Sequence, residues 1–510
     1  MIFLKKKISR KRLFIALAIV SIWVLAIIFL AKSNVTNPNF WFDETGQFWI
    51  AKGLNHYSPQ FSPDGTISDV LKNNSVFNLD PGGFSLILNF WTFLSNNHTF
   101  IRSLPFIFFI LGMIVVTKLC LVWQPRNYLA YFGGFILLSS ALLKEYAFEL
   151  RPYSIEMLAA ILSLYFCYQI PRILSEYKYA LFSGFVLAVF LSSRYSALFS
   201  ITSLGIILLA TLLYKYFNKQ SIVNFFLFAL PIIVSALGIY IFTLRYQNPT
   251  GIPPTYVAEL MFKTNSVSKI LFNQPVLITV LPFLLLTLIF LLSIKIRFFR
   301  NLSNPYRQYF LFALLLNLIF ILLSIMGKYP WGINSRWDIS THAIFVIAWL
   351  PLVFMLSDLL CKKEFLSFKY ARIILVPFFV LYFLNNAYNF HYSSLDSAYT
   401  NYISNNISPN SKILINVGAY PTIRYQFEYG MLGQYKNDGV YKNISMFNHA
   451  EYTNKNSIEN LDNIDKYNYI ILTHFDFPNS DMKNILSQKP NWVDVSVQGP
   501  SKLFKNTKVE

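Results

Sequence analysis

Two adjacent acids, Asp43 and Glu44, follow the first apolar segment, which runs from Leu13 to Ala31. A carboxylate at the boundary between a hydrophobic helix and water can have a raised pKa, which makes it a better proton acceptor. We therefore interpret Asp43 as a candidate general base and Glu44 as its orienting or substrate-contacting partner. A pair of solvated loop acids is the structural alternative, and the sequence alone leaves it open.

A second polar segment, residues 144–153, separates the third and fourth apolar segments and reads KEYAFELRPY. Acids and bases are costly at membrane depth unless they are paired. Arg151 suits an anionic headgroup because its planar guanidinium donates two parallel hydrogen bonds to phosphate. Glu149 would then hold the arginine side chain. A mutually neutralised polar cap on a helical hairpin is the alternative interpretation.

Three further arginines lie near predicted membrane boundaries. Arg102 opens the second apolar segment, and for this arginine taken alone snorkelling to the interface is the favoured explanation. Arg194 is flanked by apolar residues and marks a candidate site, because ionisable groups at membrane depth usually have a function. Arg336 ends a loop, residues 328–336, whose aromatic residues could pack against a sugar or a lipid chain while the arginine binds phosphate.

No zinc-type spacing of cysteine and histidine occurs, and no glycine-rich phosphate loop. Asp64, Asp69 and Asp80 could join Asp43 around a divalent cation, although their spacing does not require one. We expect no obligatory cofactor, with a divalent cation as an option. The chain has three cysteines, all in or beside predicted spans, so a disulfide framework is not expected.

The composition is that of a polytopic membrane protein. The 510 residues are 55% hydrophobic and 13% charged, with a mean hydropathy of +0.44. The net charge of +19 lies largely in short loops between apolar segments. It is therefore a topology signal, and it does not indicate a nucleic-acid partner.

Windowed hydropathy predicts about eleven spans. With the N-terminus in the cytoplasm, every predicted inner loop carries lysine or arginine. The predicted fold class is therefore a mainly α, polytopic membrane protein with a transmembrane helical domain. The spans are 13–31, 101–122, 128–143, 152–170, 179–193, 196–214, 222–243, 275–294, 309–326, 341–359 and 373–391.

This topology places a long first loop, residues 32–100, on the outer face. Within it, Gly82–Leu94 is apolar and amphipathic enough to lie along the membrane interface. The chain divides into a transmembrane domain, 1–394, and an outer domain, 395–510. The outer domain is predicted to be a small α/β unit. Its expected strands are Lys412–Val417, Tyr467–Thr473 and Trp492–Val497.

The order of these features resembles the GT-C glycosyltransferases that use polyprenyl-phosphate sugars, including relatives of protein O-mannosyltransferases and the lipid A aminoarabinose transferase. The most specific match is Glu149-Leu150-Arg151-Pro152-Tyr153-Ser154, where such proteins carry a Glu-Ala-Arg-Pro-Tyr block. The resemblance covers about residues 10–350. The other matching motifs are Phe42-Asp43-Glu44, Ile101-Arg102-Ser103-Leu104-Pro105, Tyr329-Pro330-Trp331-Gly332 through Arg336, and Asp80-Pro81-Gly82-Gly83-Phe84, in which Asp80 replaces a basic residue.

The resemblance implies an inverting transfer from a polyprenyl-phosphate-linked sugar to a glycan, lipid or protein acceptor. It implies Asp43 as the base with Glu44 assisting, and Arg151, Arg102 and Arg336 as phosphate ligands. It also implies a bacterial inner membrane protein with the outer domain in the periplasm. The expected supporting residues are Glu149, Tyr153, Asp80 and Tyr329.

Two other classes also fit about eleven spans. One is a lipid-linked glycan flippase or another transporter, in which Arg194 lines a path. The other is an O-antigen-type polymerase or ligase. The acid pair in a long first outer loop favours the transferase over the former. The concentration of motifs in the first third of the chain favours it over the latter.

Overall fold

The structure is a computed structural model, and about three quarters of the chain is described. The described residues are 10–32, 34–38, 40–55, 64–78, 80–125, 127–245, 274–297, 300, 303–326, 329, 336, 338–362, 369–392, 411–416, 420–429, 444–447, 464–472, 486–496 and 502–508.

Helices make up most of the described chain, and each of the predicted spans overlaps a helix. Among the described residues, six helical segments are long and apolar enough to cross a membrane: Phe14–Ala31, His98–Trp123, Ala197–Lys215, Lys219–Leu244, Asn304–Ile325 and Ile339–Asp358. Shorter apolar helices lie between them. The predicted fold class, a polytopic helical membrane protein with a small α/β unit, is confirmed.

The α-helices fall into two groups along the chain. Those before residue 216 are α1 Arg10–Ala31, α2 Phe42–Ala51, α3 Ile67–Phe77, α4 Gly83–Thr92, α5 His98–Trp123, α6 Ala141–Tyr146, α7 Tyr153–Tyr168, α8 Ile170–Ser175, α9 Tyr177–Ser193 and α10 Ala197–Lys215. Those after it are α11 Lys219–Ile239, extended by a π turn Tyr240–Leu244, α12 Gln274–Lys295, α13 Arg307–Ile325, α14 Ile339–Ile347, α15 Trp349–Lys362, α16 Lys369–Tyr388 and α17 Tyr420–Glu428.

The third predicted span, 128–143, is not one α-helix. Tyr128–Ser139 forms a 3₁₀ helix, and Ser140 then caps α6 by accepting the Leu143 N–H at 3.2 Å. The cause lies at Gly134, whose backbone approaches the backbone of α5 too closely for a side chain. Its N–H donates to Thr117 Oγ1 at 2.9 Å. Close packing therefore replaces regular α-helical geometry here, in an unusually long 3₁₀ run.

The described part of the 32–100 loop contains the three short helices α2, α3 and α4. Helix α4 confirms the predicted helical segment within Gly82–Leu94, and it begins after Gly82, which has a left-handed φ of +100°. Its Phe84 and Leu88 are buried, whereas Phe90 and Phe93 are exposed. The apolar outer side of α4 suits an interface, and that location stays a prediction.

The C-terminal part contains a five-stranded sheet with the order β2-β1-β3-β5-β4. The first three strands are parallel, and β4 and β5 are antiparallel to their neighbours. The three predicted strands are present, whereas β2 and β5 were not predicted. The predicted boundary at 394/395 lies outside the described residues. The strands are β1 Ile413–Asn416, β2 Ile444–Phe447, β3 Tyr469–Leu472, β4 Trp492–Asp494 and β5 Lys502–Asn506.

Helix α17, which follows β1, docks on α2. Trp49 of α2 donates its indole N–H to the Pro421 carbonyl at 3.0 Å, and the Arg424 guanidinium lies 3.9 Å from the centre of the Trp49 ring. Tyr425 packs edge-on against Phe48. The C-terminal unit thus fixes the helix that carries the acid pair.

Candidate active site

The two acids of α2 point in different directions. Consecutive residues on an α-helix are separated by about 100°. Glu44 therefore faces inward and is fully buried, whereas the Asp43 side chain remains 22% exposed. Glu44 also accepts the Trp41 N–H at 3.1 Å, which ties the carboxylate to the start of the helix. Only Asp43 of the pair has access to a substrate.

Glu44 is held by the second apolar segment and by the polar turn. Its Oε1 lies 2.8 Å from Arg102 Nη1 and accepts the Leu150 N–H at 2.9 Å. Burial raises the pKa of Glu44, and the Arg102 charge with these N–H donors offsets part of that shift. The Glu44 carboxylate therefore positions α2 against the turn that precedes α7.

The Arg102 guanidinium donates its hydrogen bonds to groups inside the protein. Its Nε donates to the Asn37 carbonyl at 2.9 Å, and its Nη1 also donates to the Phe148 carbonyl at 2.7 Å. The guanidinium lies between the rings of Phe40 and Tyr392, at 4.2 and 4.8 Å from their centres. Arg102 is fully buried. The structure thus places this predicted phosphate ligand beneath the site, joining four segments of the chain.

Asp43 faces Arg336 across the opening of the site. Arg336 Nη1 lies 3.5 Å from Asp43 Oδ2, and the arginine side chain is 42% exposed. This contact joins the 32–100 loop to the 328–336 loop, so the residues of the two motifs meet. At this distance and exposure the ion pair contributes about 0–1 kcal/mol, so the two groups can separate when a substrate arrives.

Arg151 is the least satisfied cation of the site. Within the described part of the chain, its Nε is buried without a hydrogen-bond acceptor. Burial would lower the pKa of Arg151, but the neighbouring Asp43 and Asp80 carboxylates raise it above the ordinary value. A buried N–H group of a permanently charged side chain costs free energy as long as it has no hydrogen-bond acceptor. Arg151 therefore presents an open donor group beside Asp43.

Glu149 does not hold the Arg151 side chain through a hydrogen bond. The only bond between them joins the Arg151 N–H to the Glu149 carbonyl at 2.7 Å. Among the described residues, the buried Glu149 carboxyl has no hydrogen-bond partner. Burial, followed by the Glu44 charge, raises the pKa of Glu149 well above its usual range. The side chain is thus favoured in its protonated form.

The protonation of Glu149 predicts a pH dependence of stability. A carboxyl with a raised folded pKa stabilises the protein fully below its unfolded pKa, and this contribution is lost as pH rises through the folded value. We expect the melting temperature of the wild type to fall more steeply than that of Glu149→Gln as the pH rises above the ordinary glutamate pKa of about 4.3. Thermal unfolding in detergent at several pH values measures this difference. Parallel curves would contradict it, because Glu44 titrates in both proteins.

A second buried cluster lies beside Arg151. Arg194 ends α9 and sits in the turn before α10, where its Nη1 lies 2.6 Å from Asp80 Oδ1 and its Nε 2.9 Å from Glu156 Oε2. Ser340 Oγ donates to Glu156 Oε1 at 3.0 Å. The turn and these partners account for an arginine flanked by apolar residues. Asp80, which replaces the basic residue of the resembling proteins, anchors the first outer loop to α7 and α9.

The two predicted supporting tyrosines border this cluster. The Tyr153 ring centre lies 4.9 Å from the Arg194 guanidinium and 4.4 Å from the Tyr146 ring. Tyr329 packs edge-on against Phe199 at 4.9 Å. Together they form an aromatic wall on one side of the arginines.

The acids considered as ligands of a divalent cation have other partners. Asp64 Oδ2 lies 2.6 Å from Lys52 Nζ, Asp69 accepts the Thr66 N–H at 2.8 Å, and Asp80 binds Arg194. Within the described ranges, no group of three or more metal-ligating side chains comes together.

Sequence reasoning missed Glu156, and the mutually neutralised polar cap considered for residues 144–153 does not include Lys144. Glu156 was detectable, because it is a lone acid inside the predicted span 152–170 and needs a partner at that depth. Lys144 does not neutralise the acids of its own segment. Its Nζ instead donates to the Asn386 carbonyl at 3.1 Å and lies 4.9 Å from the Phe390 ring.

The chain shares its fold with solved membrane glycosyltransferases. No protein-family model and no curated protein sequence matches it. The structure of ArnT from Cupriavidus metallidurans bound to undecaprenyl phosphate matches 96% of this chain and 97% of its own, with 9% identity and a TM-score of 0.50. This likeness spans both the helical part and the C-terminal part.

Two structures of the oligosaccharyltransferase from Archaeoglobus fulgidus are also similar, at lower TM-scores. The complex of AglB with an inhibitory peptide and a dolichol-phosphate matches 90% of this chain and 69% of its own, with 10% identity and a TM-score of 0.44. The complex with zinc and sulfate matches 89% and 67%, with 11% identity and a TM-score of 0.45. The likeness to ArnT shows that the chain has the GT-C fold, as predicted.

Proposed function

We propose that this chain is a membrane glycosyltransferase that moves a sugar from a polyprenyl-phosphate donor to an acceptor on the outer face of a bacterial inner membrane. The observation that carries the proposal is one accessible carboxylate, Asp43, beside two arginines: Arg336, whose Nη1 lies 3.5 Å from it, and Arg151, whose buried Nε has no acceptor among the described residues. The GT-C fold supports it, because the similar ArnT structure holds undecaprenyl phosphate.

Asp43 acts as the general base. The acceptor hydroxyl or amine gives its proton to the Asp43 carboxylate and attacks the anomeric carbon of the sugar. The bond from that carbon to the phosphate oxygen breaks on the opposite side, so the configuration is inverted. The departing oxygen carries the developing negative charge, which fixed cations stabilise. Asp43 is suited to this role because its partner Arg336 is exposed and separable.

Arg151 binds the donor phosphate. Its buried Nε is a hydrogen-bond donor without an acceptor among the described residues, and a phosphate oxygen can accept that hydrogen bond. Among basic side chains, only the guanidinium can also bind phosphate through two parallel hydrogen bonds. Arg336 closes on the phosphate from the opening once it leaves Asp43. Arg102 acts as a positioning residue, because it donates its hydrogen bonds to groups within the protein.

The remaining predicted residues support these groups. Glu44 fixes the direction of α2, and Asp80 holds the 80–82 turn to Arg194. Glu149 remains neutral and so avoids repelling the phosphate. The rings of Tyr153 and Tyr329 provide apolar surface for the sugar or for the first isoprene unit.

Loss of the Arg151 guanidinium is expected to weaken donor binding. We expect Arg151→Gln to raise KM for the polyprenyl-phosphate sugar about 10-fold to 100-fold, the scale of one charge-assisted bidentate contact of about 1.5–3 kcal/mol. Steady-state transfer at varied donor concentration measures it. Arg172→Gln is the matched control, because Arg172 is exposed and forms its ion pair with Glu176, away from the site. Equal KM values in all three proteins would exclude Arg151 as the phosphate ligand.

Transfer is proposed to need no metal ion. The arginines supply the charge that a divalent cation would otherwise provide at the leaving phosphate. We therefore expect the rate to change less than about twofold after removal of divalent ions by EDTA. Loss of a catalytic metal, which contributes several kcal/mol, would lower the rate far more than about twofold. Restoration of a lost rate by Mg²⁺ or Mn²⁺ would show that a cation takes part.

A donor screen tests the proposed function. Membranes containing the intact protein, or Asp43→Asn, are incubated with radiolabelled polyprenyl-phosphate sugars and native envelope acceptors. Asp64→Asn is the control, since Asp64 lies in the same loop and its side chain is 54% exposed in its ion pair with Lys52. Label incorporated by the intact and control proteins and lost in Asp43→Asn supports the transferase and identifies the acceptor fraction. Equal incorporation in all three would remove Asp43 as the base.

A further inference from the structure

An apolar groove runs along the membrane-facing side of the helical domain. It lies between the 3₁₀ helix Tyr128–Ser139 and helices α15 and α16, and it encloses about 530 Å³. This volume falls within the roughly 300–1,000 Å³ of typical ligand pockets. The groove is lined almost entirely by apolar and aromatic side chains, among them Ile136, Trp349, Val353, Phe379 and Phe383.

The groove opens sideways toward the lipid. Phe378 and Tyr382 on its rim are 69% and 58% exposed, although they belong to a helix that packs against α1 and the 3₁₀ helix. An open apolar groove at this depth is accessible to hydrocarbon chains, because water is absent there. One chain of a membrane lipid can enter while the remainder of the lipid stays in the bilayer.

A buried ammonium group lies one helical turn beyond this rim. Lys144 is only 5% exposed, and its Nζ donates to the carbonyl of Asn386, whose side chain in turn donates to the Tyr382 carbonyl. Within the described residues, no carboxylate lies within 4 Å of Lys144 Nζ. An ammonium has three N–H donors, so further acceptors can be added.

A buried charge is expected to have a counter-charge. The protein supplies Lys144 with a neutral carbonyl and the face of the Phe390 ring, at 4.9 Å. Both stabilise a cation, but neither neutralises it. A phosphate at the mouth of the groove would supply the missing charge, in the headgroup zone where lysine and arginine commonly recruit anionic lipid.

We propose that the groove and Lys144 form a binding site for an anionic glycerophospholipid of the surrounding membrane. One acyl chain lies along Phe379 and Phe383, and the phosphate accepts hydrogen bonds from Lys144. This site is separate from the Arg151 pocket and does not rest on the function proposed for it.

Native mass spectrometry of the full chain tests the site. Protein is equilibrated in detergent with equal amounts of phosphatidylglycerol and phosphatidylcholine of identical chains, and the retained lipid is counted. We expect one phosphatidylglycerol to be retained preferentially, and Lys144→Met to reduce that preference roughly fivefold, the contribution of one lysine. Lys178→Met is the matched control, because Lys178 is an exposed interfacial lysine elsewhere.

A second variant tests the contact with the acyl chain independently of the contact with the headgroup. Val353→Trp fills the groove and leaves Lys144 in place, and it should lower retention of both lipids. Unchanged melting temperatures show that the variants are folded. Equal retention of the two lipids by the intact protein would overturn the headgroup assignment. Displacement of phosphatidylglycerol by equimolar undecaprenyl phosphate would overturn the assignment to a glycerophospholipid.

Discussion

Asparagine in place of Asp43 is expected to lower kcat for sugar transfer by about 10²–10⁴-fold, the usual contribution of a positioned general base. Asparagine has nearly the same shape and keeps a carbonyl oxygen facing Arg336, but it cannot take a proton from the acceptor. KM for the donor should change little, because Arg151 still binds the phosphate. The measurement is steady-state transfer by purified protein in liposomes.

The Asp43 variants can be told apart from a misfolded protein. Asp43→Glu retains a carboxylate, so it should recover part of the rate, and Asp64→Asn should be as active as the wild type. A loss of rate accompanied by an equal loss of folded protein would mean that Asp43 acts on stability. A rate for Asp43→Asn within twofold of wild type would place the base elsewhere.

Removal of Arg102 is expected to cause the largest loss of stability of any single charge substitution at the site. Arg102→Met leaves Glu44 buried without its cation, and breaking a buried pair in this way costs about 3–5 kcal/mol. The loss should exceed that for Arg172→Met, whose exposed pair with Glu176 contributes about 0.3–0.5 kcal/mol. Unfolding in detergent followed by intrinsic fluorescence compares the two.

A double substitution shows whether Arg102→Met is destabilised because it leaves the buried Glu44 charge without a cation. Glu44→Gln retains acceptors for the Leu150 and Trp41 N–H groups and removes the negative charge. Arg102→Met combined with Glu44→Gln should therefore be more stable than Arg102→Met alone. If the two losses simply add, the pair is not coupled and Glu44 does not owe its position to Arg102. Activity should stay low in the double variant, because α2 loses its link to the Asn37 and Phe148 carbonyls.

The sequence was sufficient to predict the membrane helices and the segments that form the site, for clear physical reasons. Apolar runs of bilayer length and basic loops are direct consequences of the lipid environment. The segments that this topology places on one side are joined by contacts of Arg102, Glu44 and Arg336. The acid pair, the polar turn and the later loop therefore could be grouped before the structure was known.

The partners within the site could not be predicted, because they depend on packing between distant helices. Glu44 and Arg102 are separated by 58 residues, and Arg194 meets Glu156 across two helices. From the sequence, snorkelling was the favoured explanation of Arg102 taken alone. Likewise, a helical window cannot show that Gly134 packs too closely on α5 for an α-helix. Strands β2 and β5 are short and polar enough to lack a clear alternating pattern.

The most direct measurement is the fate of a donor labelled separately in its sugar and in its polyprenyl phosphate, incubated with purified protein and acceptor in sealed liposomes. We predict that intact protein releases one polyprenyl phosphate for each sugar transferred, with inversion at the anomeric carbon. Asp43→Asn should neither release polyprenyl phosphate nor transfer the sugar. Movement of the doubly labelled donor across the bilayer without cleavage, or equal cleavage by both proteins, would contradict a transferase that uses Asp43 as its base.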